Sequence, residues 1–120
     1  MGRKPLFWMS SSRRDLKDFP DQVQDLMGAA LLDAQHGDKH PDAKPLSGFG
    51  GASVLEVVAD DKSGTYRGVY TVRFSEAVYV LHAFQKKSKS GIATTKLDMD
   101  LIRMRLKMAE QHYTSKGGKL

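Results

Sequence analysis

Apolar side chains recur in two different rhythms along this chain. Val23, Leu26, Met27, Ala30, Leu31 and Ala34 follow one another at spacings of three and one, which draws a single stripe down a helix. Pro20 fits the first turn, where its missing N–H costs nothing, and Gly37 marks the stop. Just upstream, Ser12 followed by Asp15 has the form of a capping box. It would open a short helix burying Leu16 and Phe19, so this region reads as a helical hairpin. Ahead of it, Leu6 to Met9 reads as a short strand. Between Gly37 and Ala52, Pro41, Pro45, Gly48, Gly50 and Gly51 read as a long loop.

Further on the period falls to two. Val54 to Ala59, Thr65 to Phe74 and Ala77 to Lys86 are β-branched and aromatic runs, hence three strands. Asp60-Asp61-Lys62-Ser63-Gly64 makes a hairpin loop between the first two. A two-residue turn at Ser75-Glu76 would set Arg67 opposite Phe84 and Val69 opposite His82. That register places Arg67, His82 and Lys86 on one sheet face, and Tyr66, Tyr70 and Leu81 on the other.

The last element returns to the helical period. Thr95 and Asp98 form another capping pattern, and the helix runs to about Tyr113. Leu97, Leu101, Met104 and Met108 make one apolar stripe. Met99, Ile102, Leu106, Ala109 and Tyr113 make a second, on roughly the opposite side. One sheet can cover only one of them, so the second is expected to meet another part of the chain, a second copy or a partner protein. The order of elements predicts an α+β fold in a single domain over residues 1–120, with a core from about 4 to 113 and a basic, flexible tail at 114–120.

Charge narrows the choice of partner. The 120 residues carry 19 Lys plus Arg against 14 Asp plus Glu, a formal +5. Residues 1–84 hold 10 basic and 11 acidic side chains, whereas residues 85–120 hold 9 and 3. The whole excess sits at the C-terminal end and begins with Lys86, Lys87 and Lys89. Clustered cations suit a polyanion, because binding phosphates releases condensed counterions. With no cysteine, a disulfide scaffold, a thiol nucleophile and a Cys-ligated zinc site are excluded. His36 and His40 stand near Asp38 and Asp42, but Gly37 and Pro41 break the helix that would align them as ligands. No metal or other cofactor is therefore expected. No apolar run approaches the roughly 20 residues that cross a membrane, and the apolar part of residues 1–9 is too short for a signal peptide. A cytoplasmic location and no membrane partner are the expectation.

Several segments, taken in order, resemble a known family. They are Lys39-His40-Pro41, Lys44-Pro45-Leu46, Gly48-Phe49-Gly50-Gly51, Val54-Leu55-Glu56-Val57, Thr65-Tyr66-Arg67 with Tyr70, and the run from Tyr79 through His82 and Phe84 to Lys89. Over residues 4–113 the chain resembles the RelE/ParE toxin superfamily, in particular its phage-derived HigB/Tad-like branch. Two positions differ from that pattern: Thr94-Thr95 stands where the branch often has proline, and Val58 where relatives often carry arginine. The resemblance implies a compact RelE-like fold, with an antiparallel sheet, an N-terminal helical hairpin and a C-terminal helix. It also implies a toxin of a type II toxin–antitoxin system that cleaves mRNA on the ribosome without a metal. The partners implied are the ribosome, mRNA and a cognate helix-turn-helix antitoxin. The alternatives are a ParE-like inhibitor of DNA gyrase and a non-catalytic nucleic-acid-binding module.

Metal-free RNA cleavage needs the 2′-OH deprotonated, the phosphate charge stabilised and the leaving 5′-oxygen protonated. His82 has the intrinsic pKa suited to proton transfer. Arg67 offers a planar fork for the phosphate. Lys86 or Lys87 could serve as acid or base if neighbouring charge lowers its pKa. Arg67, His82, Lys86 and Lys87 are thus the catalytic candidates. Lys44, Tyr70 and Lys89 are candidates for RNA contact, Tyr70 by stacking on a base. Met99, Ile102, Leu106 and Tyr113 are the expected antitoxin interface.

Overall fold

The computed structural model describes residues 2–86 and 94–118. In chain order the elements are β1 (Leu6–Trp8), α1 (Ser12–Lys17), α2 (Asp21–Gln35), β2 (Ala43–Pro45), β3 (Val54–Asp61), β4 (Gly64–Thr71), β5 (Val78–Lys86) and α3 (Lys96–Ser115). The five strands form one sheet in the order β1-β5-β4-β3-β2. Pairing is antiparallel except between β1 and β5, which run parallel. The expected α+β class with a mostly antiparallel sheet is what the chain adopts.

Each face of the sheet has its own apolar layer. On one, Leu16, Phe19, Val23, Met27, Ala30, Leu31 and Ala34 of the helical hairpin meet Leu55, Val57, Tyr66, Tyr70, Val80 and Ala83. Gly68 lets α2 approach closely here, since a Cβ at that position would lie 2.7 Å from the Met27 sulfur. On the other face, Ile102, Leu106, Ala109 and Tyr113 of α3 meet Val54, Val69, Tyr79 and Leu81. Fully burying a side chain of this size contributes about 1.5–3 kcal/mol, so two such layers hold the sheet between helices.

Several local readings need correcting. The cap of α1 is Ser11, not Ser12: the Ser11 hydroxyl donates to the Asp15 carboxylate at 2.7 Å, while Ser12 is buried beneath β5. Pro20 stands one residue earlier than expected, as the N-cap of α2. The loop before β3 contains β2, three residues on the sheet edge. No two-residue turn forms at Ser75-Glu76, because β4 ends at Thr71 and β5 begins at Val78. Arg67 nevertheless pairs with Phe84 and Val69 with His82, since a bulge in β5 absorbs the difference: Tyr70 pairs with Val80, skipping Leu81. An extra residue turns one side chain over, so Leu81 packs under α3 with Tyr79 rather than with Tyr66 and Tyr70.

α3 has the expected cap, the Thr95 hydroxyl accepting from the Asp98 N–H at 3.2 Å. The sheet takes its second stripe. Ile102 and Ala109 are fully buried, Leu106 and Tyr113 nearly so, and Met99 packs against the same cluster. The antitoxin role expected of Met99, Ile102, Leu106 and Tyr113 is therefore overturned, because the chain's own core uses these side chains. The outward stripe is the first one, where Leu97 is 82% exposed and Met104 52%.

Candidate functional site

β1 runs alongside β5 only from Val78 to Val80. Beyond that point, the far half of β5 meets the C-terminal end of α1 and the N-terminal end of α3. These elements bound a cleft of about 920 Å³, lined by Asp15, Asp18 and Phe19 of the hairpin, Arg67 of β4, His82 to Lys86 of β5, and Thr94, Thr95, Leu97 and Asp98 at the start of α3. Three of the catalytic candidates, Arg67, His82 and Lys86, thus border one cavity.

Arg67 is 7% exposed. Its guanidinium donates to Glu56 on the neighbouring strand at 3.0 Å, with both side chains largely shielded from water. Glu56 orients the fork and offsets the cost of burying its charge. Val58 lies directly across the ladder from Arg67 and is 40% exposed, so this end of the sheet face is open. Lys86 borders it two pairs further along β5, opposite Thr65 and on the same face. Desolvation and the positive charge of Arg67 push the Lys86 ammonium below lysine's ordinary pKa, while Glu56 opposes the shift. An ammonium lowered in this way gives up its proton more readily, which is what a lysine base requires.

His82 has different surroundings. It is 6% exposed and stacks on Phe84, with ring centroids 4.4 Å apart. Its Nε2 lies 2.9 Å from Asp98 and its Nδ1 3.4 Å from the Arg105 guanidinium. A guanidinium can only donate, so Nδ1 must present its lone pair and the proton sits on Nε2, donated to Asp98. Burial pushes the His82 pKa down; the Asp98 hydrogen bond pulls it up, and the Arg105 charge lowers it further. The ring is thus neutral at pH 7, and both nitrogens are already engaged.

Arg105 is the residue that the sequence reading missed. It is 6% exposed, donates to the Leu81 carbonyl at 2.9 Å and reaches the Ser11 hydroxyl at 3.3 Å. Through Ser11 it connects to Asp15. The chain Asp98–His82–Arg105–Ser11–Asp15 ties α3, β5 and α1 together beside the cleft. A signal was present: Asp98, Ile102, Arg105 and Ala109 recur at spacings of four and three, so a charged residue lies within the buried stripe.

The remaining candidates are dispersed. Tyr70 packs under α2 at 2% exposure, and its hydroxyl has no partner among the described residues. Burial, with the Asp33 charge nearby, pushes its pKa up to about 12. It cannot stack on RNA from there, so that expectation is overturned. Lys44 is exposed on the edge strand β2, opposite Glu56 and outside the cleft lining. Lys87 and Lys89 lie outside the described residues. Among the described residues no group of acidic or histidine side chains could hold a metal ion, and no helix is long and apolar enough to cross a membrane.

Comparison with known proteins matches residues 14–107 to the model of the phage-derived protein Gp49-like family. Among solved structures, a mutant of the E. coli toxin RelE in the free state has a TM-score of 0.53 at 15% identity, over 73% of this chain and 88% of the other. The isolated E. coli RelE toxin has a TM-score of 0.51 at 14% identity, over 84% and 97%. The RelBE2 toxin–antitoxin complex of Mycobacterium tuberculosis has a TM-score of 0.43 at 20% identity, over 73% and 97%. No curated protein matches the chain. The first two structures establish the likeness as one of fold.

Proposed function

The chain belongs to the phage-derived Gp49-like family, and from that premise we propose that it is the toxin of a type II toxin–antitoxin pair, cutting mRNA on the ribosome. The observation that carries this reading is that Arg67 and Lys86 share one face at the open end of the sheet, one cation held by Glu56 and the other with its pKa lowered by desolvation and the charge of Arg67. The RelE-like fold supports it.

In this reading Lys86, in its neutral form, takes the proton from the 2′-OH. The oxygen attacks the adjacent phosphorus, the bond to the 5′-oxygen breaks, and that oxygen leaves with a proton taken from water, while the Lys86 ammonium afterwards returns its proton to solvent. The products are a 2′,3′-cyclic phosphate and a 5′-hydroxyl end. Arg67 stabilises the charge that grows on the phosphate, the contribution that fixed donors supply best. His82 is a positioning residue here, because a ring whose lone pair faces a guanidinium is a poor proton acceptor. The base must be unprotonated, so cleavage should accelerate as pH rises above neutrality. The antitoxin is assigned to the outward stripe of α3, around Leu97, Met104 and Met108, with Leu101 between them.

The reading is tested by mapping RNA ends after brief expression of wild type and of an Arg67→Ala, Lys86→Ala double variant. New 5′-hydroxyl ends within translated regions, absent with the variant, are expected. Growth arrest without new ends would discard the nuclease and direct attention to DNA gyrase.

A further inference from the structure

The cleft is lined from both faces of the sheet. Ala83 belongs to the layer under the hairpin, with Phe19 and Tyr66, whereas Phe84 packs on the face of α3 and is paired there with Arg67. Both sets border the same cavity. A cavity can touch both faces only by passing an edge of the sheet, and the edge here is β5. β1 covers that edge from Val78 to Val80, ending where the Met9 N–H donates to the Val80 carbonyl at 2.9 Å. The next carbonyl, of Leu81, accepts from Arg105. From His82 to Lys86, β4 is the sole strand paired with β5 among the described residues. The free edge is thus roughly 16 Å long, at about 3.3 Å per residue.

An unpaired strand edge is a template for another strand, and the walls beside this one fit an extended peptide. Successive side chains of a strand point to opposite faces, so an added segment meets the two walls in alternation. The hairpin wall presents Asp15 and Asp18, and the α3 wall presents Phe84, Lys86 and Leu97. Residues three apart on a helix stand about 5–6 Å from each other, close to the roughly 6.6 Å between alternate residues of a strand. A complementary segment therefore turns basic side chains toward the hairpin, and apolar side chains with a carboxylate toward α3. Nucleic acid suits the slot poorly, because its hairpin wall is acidic. Leu97, 82% exposed, is also the first residue of the outer stripe of α3, so the slot continues the surface assigned to the antitoxin. We propose that the free edge of β5 is a strand-docking slot for an extended segment of that protein partner, which pairs along His82–Lys86 and sets a carboxylate against Lys86. The regulatory sense of the slot rests on the ribonuclease reading: a strand seated there withdraws Lys86 from RNA.

The test uses the full chain and a capped peptide of the sequence threonine-valine-lysine-glutamate-lysine-valine-threonine. Two further forms carry backbone N-methyl groups on the odd residues only or on the even residues only. Binding is followed by NMR titration, and strand pairing by hydrogen exchange of the amides from His82 to Lys86. The parent peptide should bind and slow exchange along this edge. One N-methylated form should bind at least tenfold more weakly and the other nearly as well as the parent, because alternate N–H groups point toward β5 and away from it. Asp18→Lys and Lys86→Glu should each weaken the parent peptide about tenfold by placing like charges together. No binding, equal losses from the two N-methylated forms, unchanged exchange at the edge, or affinity unmoved by both substitutions would each overturn the proposal. Concentration-dependent protection of the edge without peptide would also overturn it and assign the edge to a second copy. Binding is read without RNA, so the two readings fail separately. Strand docking without RNA cutting keeps the slot and removes the nuclease, whereas cutting by a chain that binds none of the peptides does the reverse.

Discussion

Arg67 and Arg105 are buried to nearly the same degree, 7% and 6% exposed, yet the regions around them differ in kind. Arg105 is enclosed: its donors go to the Leu81 carbonyl, to His82 and to Ser11, and they join three elements. Arg67 is held on one side by Glu56 and borders a cleft that Lys86 also lines. Burial of a charge does not distinguish a strut from a reactive group; what remains open beside it does. The same contrast separates the two cleft residues with perturbed pKa values. His82 is lowered first by burial, with its nitrogens engaged, and Lys86 by desolvation and the charge of Arg67 beside an open surface.

The largest effect that would break this comparison is on cleavage. Arg67→Ala should reduce RNA cutting by about 10²–10³-fold, the usual cost of removing a fixed donor from a developing charge, as read by cleavage rates on programmed ribosomes. Arg105→Met should instead act on the fold. It strands the Leu81 carbonyl and His82 in the interior, and a loss of about 2–4 kcal/mol in chemical denaturation is expected. Cutting per folded molecule should change little.

His82→Gln sharpens the contrast through pH. The folded-state pKa of His82 lies below its ordinary 6.5, so the unfolded chain takes up the proton first as pH falls. The stability that neutral His82 contributes is complete above about pH 6.5 and is lost on acidification through the folded-state pKa. Wild type should therefore lose its stability advantage over His82→Gln on going from pH 7.5 to pH 5, measured by urea unfolding. An advantage independent of pH would mean that His82 titrates equally in both states. The smallest effect on stability belongs to the outer face of α3. Met104→Asp should change stability by less than about 0.5 kcal/mol, yet weaken binding of the antitoxin in a titration.

The sequence was informative wherever periodicity was undisturbed. Stripes at helical spacing located α2 and α3, and alternation located β3, β4 and β5; Arg67 came out opposite Phe84 only because the bulge offsets the missing Ser75-Glu76 turn on which that register was based. It failed where one residue changed the count. The bulge at Leu81 leaves no compositional mark, so the register beyond it shifted unseen although the pairs nearer the cleft came out as expected. β2 is three residues long and ends in proline, too short for a period to show. The two stripes of α3 have similar composition, and which one faces the sheet depends on the docking angle of a helix that local sequence does not encode. Arg105 was passed over because a lone charge within an apolar stripe has its partners, Ser11 and His82, far away in sequence. Arg67 and Lys86 were legible because strand pairing alone brings them onto one face.

The most direct measurement compares Lys86→Ala with His82→Gln in ribosome-programmed mRNA cleavage at pH 7.5, with rates normalised to the folded fraction. Loss of about a hundredfold or more with Lys86→Ala, beside a change within about tenfold for His82→Gln, is the expected result for a lysine base next to a positioning histidine. Near-complete loss with His82→Gln and little change with Lys86→Ala would contradict it and make the buried ring the proton carrier.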